Sequence, residues 1–284
     1  MEKYLNEFLM FLNNSQFEET YLCRNNSLTI NYQKYDNILK GVLLYNIDDF
    51  TDIAPITEFL YLELFEFIKK NMKYAISRIW NYVPEIFTLY ESFNQGRFNA
   101  FCKHYKSNSY TWEIPAATAV GSDGKYLKIE FLAFQNNVKF IENINQNPAI
   151  SYSNKYGKTP PVFSRGVIFQ HNNYLQLFSS GTSSIKGEIT YYENIIYNQV
   201  NLTIENLRIL GSKNNLIQYG IEEEFSLKDI KYMKVYFQDR NDLKFLKQYI
   251  IHIIPNVYKV EFKCTDICRR ELLVEIEALF ILKI

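Results

Sequence analysis

The chain of 284 residues carries no excess of charge: 31 Lys and Arg stand against 31 Asp and Glu, with three histidines. Without net charge there is no global field to draw in DNA or an anionic membrane. Neither nucleic acid nor membrane is an expected partner, and an anionic ligand would have to be held by a few local arginines. No apolar run approaches the roughly 20 residues of a membrane helix, and the start of the chain has no basic segment leading into an apolar one. The four cysteines, Cys23, Cys102, Cys264 and Cys268, are scattered. Cys264 and Cys268 have no second pair to complete a structural zinc site. Free thiols without an export signal point to a cytoplasmic protein. His104, His171 and His252 stand apart from any Ser or Cys in a nucleophile setting, which removes support for a hydrolase triad. There is no Gly-rich phosphate loop or dinucleotide fingerprint. The chemistry expected of such a chain uses neither metal nor cofactor.

What the chain does have is aromatic bulk. Apolar residues make up 47% and aromatics 17%, with 23 Tyr and 22 Phe, enough for a large interior and suited to half-buried sheet faces. The length is comfortable for two domains. Residues 1–35 are polar and Asn-rich and read as an extension wrapped on the first domain. Strands are expected at 41–45, 74–83 and 125–134, with helices at 56–70 and 87–104. The first helix is apolar on most faces through Phe59, Leu60, Leu62, Leu64 and Phe67, which predicts burial on more than one side. Residues 142–161, rich in Asn, Ser, Pro and Gly, form a connector. A hairpin follows, 162–170 with 174–180, turning at Asn172-Asn173. A helix at 192–210 places Ile196, Val200, Leu207 and Leu210 on one face and ends at Gly211. A strand at 232–237, a helix at 242–253 and strands at 257–265 and 272–281 complete the pattern. Both halves alternate strands and helices, so the expected class is α+β, mixed sheets with helices packed on one face, and a duplication of fold without a residue-level repeat.

Three strings carry a resemblance. Phe163-Ser164-Arg165-Gly166, Ser180-Gly181-Thr182-Ser183-Ser184 and Val274-Glu275-Ile276-Glu277-Ala278 resemble, in order and context, the small trimeric enamine/imine deaminase fold of the YjgF/RidA type. A longer frame, from about residue 40 to the end, resembles the chorismatases, enzymes that remove pyruvate from chorismate. That frame includes Arg78-Ile79-Trp80-Asn81-Tyr82-Val83-Pro84, Phe93-Asn94-Gln95-Gly96-Arg97 and Pro115-Ala116-Ala117-Thr118-Ala119-Val120-Gly121, the last of which the resemblance implies to be a loop before the first domain's last strand. It continues with Ile141-Glu142-Asn143, Tyr152 and Tyr156-Gly157, and with the run from Asp266 through Cys268-Arg269-Arg270 to Glu275. The resemblance implies two YjgF/RidA-like (chorismate mutase-like) domains, residues 1–140 and 141–284, the second catalytic. It also implies a monomer or homotrimer. Three positions depart from the family pattern: Ile144-Asn145-Gln146 stands for Pro-Arg-Gln, Ile150 for a tyrosine, and Lys186-Gly187-Glu188 for Gly-His-Glu.

Expelling pyruvate needs a proton delivered to the enolpyruvyl group, after which water or rearrangement completes the cleavage. A carboxylic acid in an apolar wall keeps its proton near neutral pH, because burial disfavours the charged form. Strand alternation puts Glu275 and Glu277 on one face, so either suits the part by spacing, and the resemblance assigns it to Glu275. Arg165 can hold a carboxylate through two parallel hydrogen bonds. Thr182 and Ser184 follow Gly181 and offer hydroxyls to an anion. Tyr152 and Tyr156 can stack on a ring or donate to a carboxylate, and Cys264 shares a strand face with Phe262 and Asp266. The substrate implied is the dicarboxylate chorismate, the product a hydroxybenzoate (3-hydroxybenzoate favoured) or a dihydroxycyclohexadiene carboxylate, in secondary metabolism. Two other readings stand beside this one. The departures at Asn145, Ile150 and Lys186 suit a non-catalytic binding or assembly partner that kept the fold. Glu275 and Arg165 alone would suit a deaminase acting on enamines, against which the two-domain length speaks.

Overall fold

The computed structural model describes residues 2–23, 28–47, 51–71, 73–106, 112–135 and 138–284. Two mixed sheets are stacked face to face, each with helices on its outer face. The first contains β1 (Glu19–Leu22), β2 (Thr29–Tyr35), β3 (Ile38–Asn46), β4 (Tyr74–Pro84), β5 (Ala116–Ser122) and β6 (Tyr126–Gln135), in the order β1-β2-β3-β6-β4-β5. The second contains β7 (Lys139–Ile141), β8 (Gly166–His171), β9 (Tyr174–Ser179), β13 (Ile230–Phe237), β14 (Lys259–Cys264) and β15 (Val274–Lys283), in the order β14-β13-β15-β9-β8-β7. The short β10 (Thr182–Ser183) adds to β15, while β11 (Ile185–Lys186) and β12 (Ile189–Thr190) pair with each other. Read from opposite ends the two orders coincide. Each sheet has one parallel pair, β4 with β5 and β13 with β14, and is otherwise antiparallel. The duplication expected from the alternating pattern is therefore present at the level of strand order.

Helices α2 (Ala54–Lys70) and α3 (Ile86–Tyr105) cover the first sheet, and α4 (Ile196–Leu210), the single-turn α5 (Lys213–Leu216) and α6 (Leu243–Ile253) the second. Strand alternation sorts the side chains into three layers. On β15, Val274, Ile276, Ala278 and Phe280 face the helices, while Leu279 and Ile281 face the other sheet. Glu275 and Glu277 share the parity of that second set. On β4, Ile79 and Val83 face the helices, while Trp80 and Tyr82 face the second sheet. The central layer thus collects the polar and charged residues of both sheets along with its apolar ones. None of the helices among the described residues is long and apolar enough to cross a membrane.

Several local expectations are corrected. Residues 115–121, expected as a loop, are mostly the edge strand β5, because its small residues are buried on both faces, Ala116 and Val120 between the sheets and Ala117 and Ala119 on the helix side. The N-terminal segment does not merely wrap the first half. Its helix α1 (Glu2–Asn13) inserts Leu5, Phe8 and Leu9 into the central layer, and the Tyr4 ring stacks on Tyr174 of the second sheet at 4.5 Å. Helix α4 starts at Ile196 rather than 192, since Tyr192 and Asn194 both sit at positive φ in the preceding turn. Gly211 does end that helix, but at φ −85°. It is glycine because a Cβ there would come within 2.9 Å of Phe225.

Candidate active site

A cavity of about 410 Å³ opens where the second sheet meets the connector and the first half. Its wall includes Tyr90 from α3, Tyr152, Lys155 and Tyr156 from the connector, and Arg165 at the entry to β8. Gly181, Ser183, Cys268, Arg269, Glu271 and Glu275 complete its polar side. A smaller extension of about 30 Å³ runs behind Glu275 toward Arg97, Ala117 and Thr118. Both halves build the site: α3 and β5 supply one side, β8, β10 and β15 the other.

Glu275 is 5% exposed and paired in register with Ser183 of β10, whose hydroxyl donates to Oε2 at 3.3 Å. The carboxyl rests on Gly181, where a Cβ would collide with it. That residue is glycine for close approach, not for an unusual turn. Burial pushes the Glu275 carboxyl up to about 8, the neighbouring Glu277 charge pushes the same way, and Ser183, Arg78 and Arg165 pull against both. It is a neutral acid at pH 7. Glu277, 3% exposed on the same strand face, is the opposite case. Its Oε2 lies 2.9 Å from Arg78 Nη2 and accepts from Trp80 Nε1 at 2.6 Å. Despite its burial, Arg78 first and foremost holds its carboxyl below the usual range. The two glutamates that spacing could not separate are thus an acid and an ion-paired carboxylate.

Arg165 is buried, with its guanidinium over the Phe163 ring at 5.0 Å. One nitrogen, Nη2, donates to Asn147 O and to the Tyr152 hydroxyl, both at 2.7 Å. Nε lies 3.9 Å from Glu142, whose carboxyl burial raises to about 7 against the pull of Arg165. Held this way the guanidinium is fixed in orientation before any ligand arrives. Tyr156 lies under Arg269, 3.6 Å from guanidinium carbon to ring centroid, and Tyr152 lies 5.3 Å from the same group. Arg269 is itself anchored by a bond from Nη1 to Glu188 O at 2.9 Å.

Of the seven residues expected in the site, Glu275, Arg165, Tyr152 and Tyr156 line the cavity together, and three do not. Thr182 pairs with Ile276, and its hydroxyl donates to Ser180 O at 3.0 Å. Ser184 donates to Tyr191 O at 2.9 Å. Gly181 and Ser183 face the cavity, so 182 and 184 point away. Cys264 lies on β14 with its thiol against Gln238 O, and it is Cys268 that lines the wall. Burial raises the Cys268 thiol to about 12, so it is neutral. Ser183 was recoverable from strand parity, and Arg269 stood in a string already quoted. Phe163 opens the Phe163-Ser164-Arg165-Gly166 string, and Tyr90 had no signal apart from its place in the fold. No group of three or more His, Cys, Asp or Glu able to hold a metal occurs among the described residues.

The three family departures sit off this wall. Asn145 Nδ2 donates to Asn206 Oδ1 at 2.8 Å, Ile150 packs on the core of the first half, and Lys186 is exposed with its ammonium over Tyr191.

Comparison with known proteins finds relatives of the chain. Residues 19–133 match the family described as Chorismatase FkbO/Hyg5-like, N-terminal. A chorismatase from Streptomyces hygroscopicus is 31% identical over 235 residues, covering 80% of this chain and 67% of its own. A 3-hydroxybenzoate synthase from the same organism is 29% identical over 235 residues, covering 78% and 68%. A crystal structure of a chorismatase superposes with a TM-score of 0.82 at 27% identity, covering 93% of this chain and 80% of that one.

Proposed function

The chain belongs to the chorismatase family and is an enzyme of the chorismatase type; from that premise we propose that the cavity between its halves binds chorismate and that Glu275 is the general acid that releases pyruvate from it. One observation carries the assignment: a buried carboxyl, raised to about 8, faces a cavity that a fixed guanidinium also faces. The same proposal treats residues 1–140 as a supporting domain and 141–284 as the catalytic one.

The steps follow from the geometry. Arg165, its Nη2 committed to Asn147 and Tyr152, presents its remaining edge to one substrate carboxylate. Arg269, stacked on Tyr156, stands on the same wall for the other. Glu275 gives its proton to the methylene carbon of the enolpyruvyl ether, and the adjacent ether carbon takes up the positive charge. Glu275, now anionic, is stabilised by the donation from Ser183 and by Arg78 and Arg165. Cleavage then follows one of two balances. Addition of one water gives pyruvate and a dihydroxycyclohexadiene carboxylate. Rearrangement without net water gives pyruvate and a hydroxybenzoate, for which 3-hydroxybenzoate is favoured by the 3-hydroxybenzoate synthase among the relatives. Either route returns a proton to Glu275. The position of Asn145, Ile150 and Lys186 away from the cavity supports an intact site over one that has lost its function.

Incubation of the purified protein with chorismate, with pyruvate measured enzymatically and the aromatic or diene acid separated by chromatography, tests both parts. Pyruvate with 3-hydroxybenzoate supports the full proposal. Pyruvate with the diene acid corrects the product, and no pyruvate overturns the activity.

A further inference from the structure

Outside the cavity, the largest unexplained investment of polar groups is a buried ion pair behind the acid. Building on the assignment of Glu275, we propose that Glu277 is a positioning residue: a permanently ionised carboxylate, anchored by Arg78 and Trp80 of the first sheet, whose charge keeps Glu275 in its acid form.

Glu277 lies two residues beyond Glu275 on one strand face, roughly 7 Å along the chain, with both side chains out of water. Two contacts fix its charge. Arg78, 0% exposed, reaches Oε2 at 2.9 Å and also donates from Nη1 to Ile79 O at 2.8 Å. Trp80 donates to the same oxygen, and its ring lies 4.7 Å from the Arg78 guanidinium carbon. A buried pair of this kind is weak evidence for stability, since desolvation offsets the attraction. Its retention beside the acid asks for another purpose.

A second thread ties the pair to the acid by geometry. Arg78 Nη2 donates to Thr118 Oγ1 at 2.5 Å, and that oxygen accepts from Gly181 N–H at 2.9 Å. Gly181 is the residue on which the Glu275 carboxyl rests. The first half therefore supplies more than a cavity wall: through β4 and β5 it holds both the charge beside the acid and the backbone beneath it.

Other charged groups face Glu275 without doing this. Arg78 and Arg165 favour its ionised form, as does the Ser183 hydroxyl. Arg269 and Glu271 stand on the loop before β15, and Cys268 is neutral. From α3 come Tyr90 and, deeper, Arg97, and from the connector Tyr152, Lys155 and Tyr156. Among the neighbouring charges, Glu277 has the largest influence on Glu275, exceeding that of Arg78. Removing the pair as a unit therefore still favours ionisation.

The test is the pH profile of kcat/KM for Glu277→Gln, for the double variant Arg78→Met/Glu277→Gln, which leaves no orphaned guanidinium, and for Glu277→Asp. The alkaline limb should move down by about one pH unit in Glu277→Gln, by less in the double variant, where the opposing pull of Arg78 is lost as well, and stay near the wild-type position in Glu277→Asp. Activity well below the limb should stay within about tenfold of wild type in Glu277→Asp. A uniform loss at every pH with an unmoved limb in the double variant would overturn the proposal and leave Glu277 a structural residue. Titration of the protonated-carboxyl infrared band that disappears in Glu275→Gln gives the same answer without turnover. If wild type releases no pyruvate, the activity assignment fails while this titration still decides whether Glu277 holds Glu275 protonated.

Discussion

Glu275→Gln should abolish pyruvate release and at the same time stabilise the protein at alkaline pH. Glutamine keeps the shape, the contact with Gly181 and a partner for Ser183, and removes the proton. General acid–base terms are worth about 10²–10⁴-fold, so a loss under tenfold would move the role elsewhere. The stability effect follows from the raised carboxyl. The folded protein keeps its proton up to about 8, against an ordinary value of 4.5, while the unfolded chain gives it up near the ordinary value. Between those limits the folded state binds more protons, so stability falls as pH rises. At about 1.4 kcal/mol per unit, the full gap sets a ceiling of roughly 5 kcal/mol lost by pH 8, and relaxation around a buried anion reduces this to about 2–4 kcal/mol. A chain of this size moves its melting midpoint by about 2–4 °C per kcal/mol, so Glu275→Gln should melt at least about 4 °C above wild type at pH 8.5. At pH 5 the two should melt together. Calorimetric scans at both pH values measure the difference. Equal melting at pH 8.5, or a gain of the same size at pH 5, would refute a buried neutral acid at this position.

Three further outcomes are expected. Gly181→Ala places a methyl where the Glu275 carboxyl rests and should cut kcat by at least about tenfold with little change in the circular dichroism spectrum; wild-type kcat would mean the carboxyl has room to move. Arg165→Lys should raise KM for chorismate more than it lowers kcat, because lysine cannot reproduce the guanidinium fork, and steady-state kinetics at saturating substrate separate the two. Acid should loosen the N-terminal helix: Gln176 donates to the Tyr4 hydroxyl, so Tyr4 donates to His171 Nδ1, and burial keeps that ring neutral. Because the folded value is depressed, stability should be constant above about pH 6.5 and fall as the ring is forced to protonate below it. Replacing His171 by Asn removes the titrating ring and should flatten that fall in a pH series of melting midpoints.

The sequence yielded most of the elements because their signals are local. Strands such as 41–45 and 232–237 and helices such as 56–70 each combine apolar periodicity with bounding turn residues, and those lie where expected. Parts decided by distant neighbours did not show. β5 reads as a loop because Ala116-Ala117-Thr118-Ala119 lacks the bulky residues of a strand, and its small size makes sense only once two sheets close on it. The site split the same way. Arg165 and Glu275 were legible through short strings. Thr182 and Ser184 follow a glycine, but Gly181 leads into a short strand in which Gly181 and Ser183 face the cavity. The difference between Glu275 and Glu277 was invisible in principle, since it depends on Arg78 and Trp80, nearly 200 residues earlier.

That distance also bears on why a duplicated fold carries one acid site. In the second sheet, Tyr236 pairs with Glu275 and Lys234 with Glu277; in the first, Tyr82 pairs with Lys128 and Trp80 with Glu130. The strand orders match, yet the first half has a lysine where the second has its acid. Lys128 is half-satisfied by its own neighbour, 2.8 Å from Glu130, and by the Tyr82 ring at 4.2 Å. A cation in that place has nothing to protonate with the strength of a neutral carboxylic acid. The first half instead contributes β4: Trp80, paired with Glu130 in its own sheet, reaches across to Glu277. Side chains that a lone copy of the second half would have to leave unpartnered are met by the other copy. The two halves are thus unlike where they face each other, one bearing Glu275 and Glu277 and the other bearing Arg78 and Trp80, which contact Glu277.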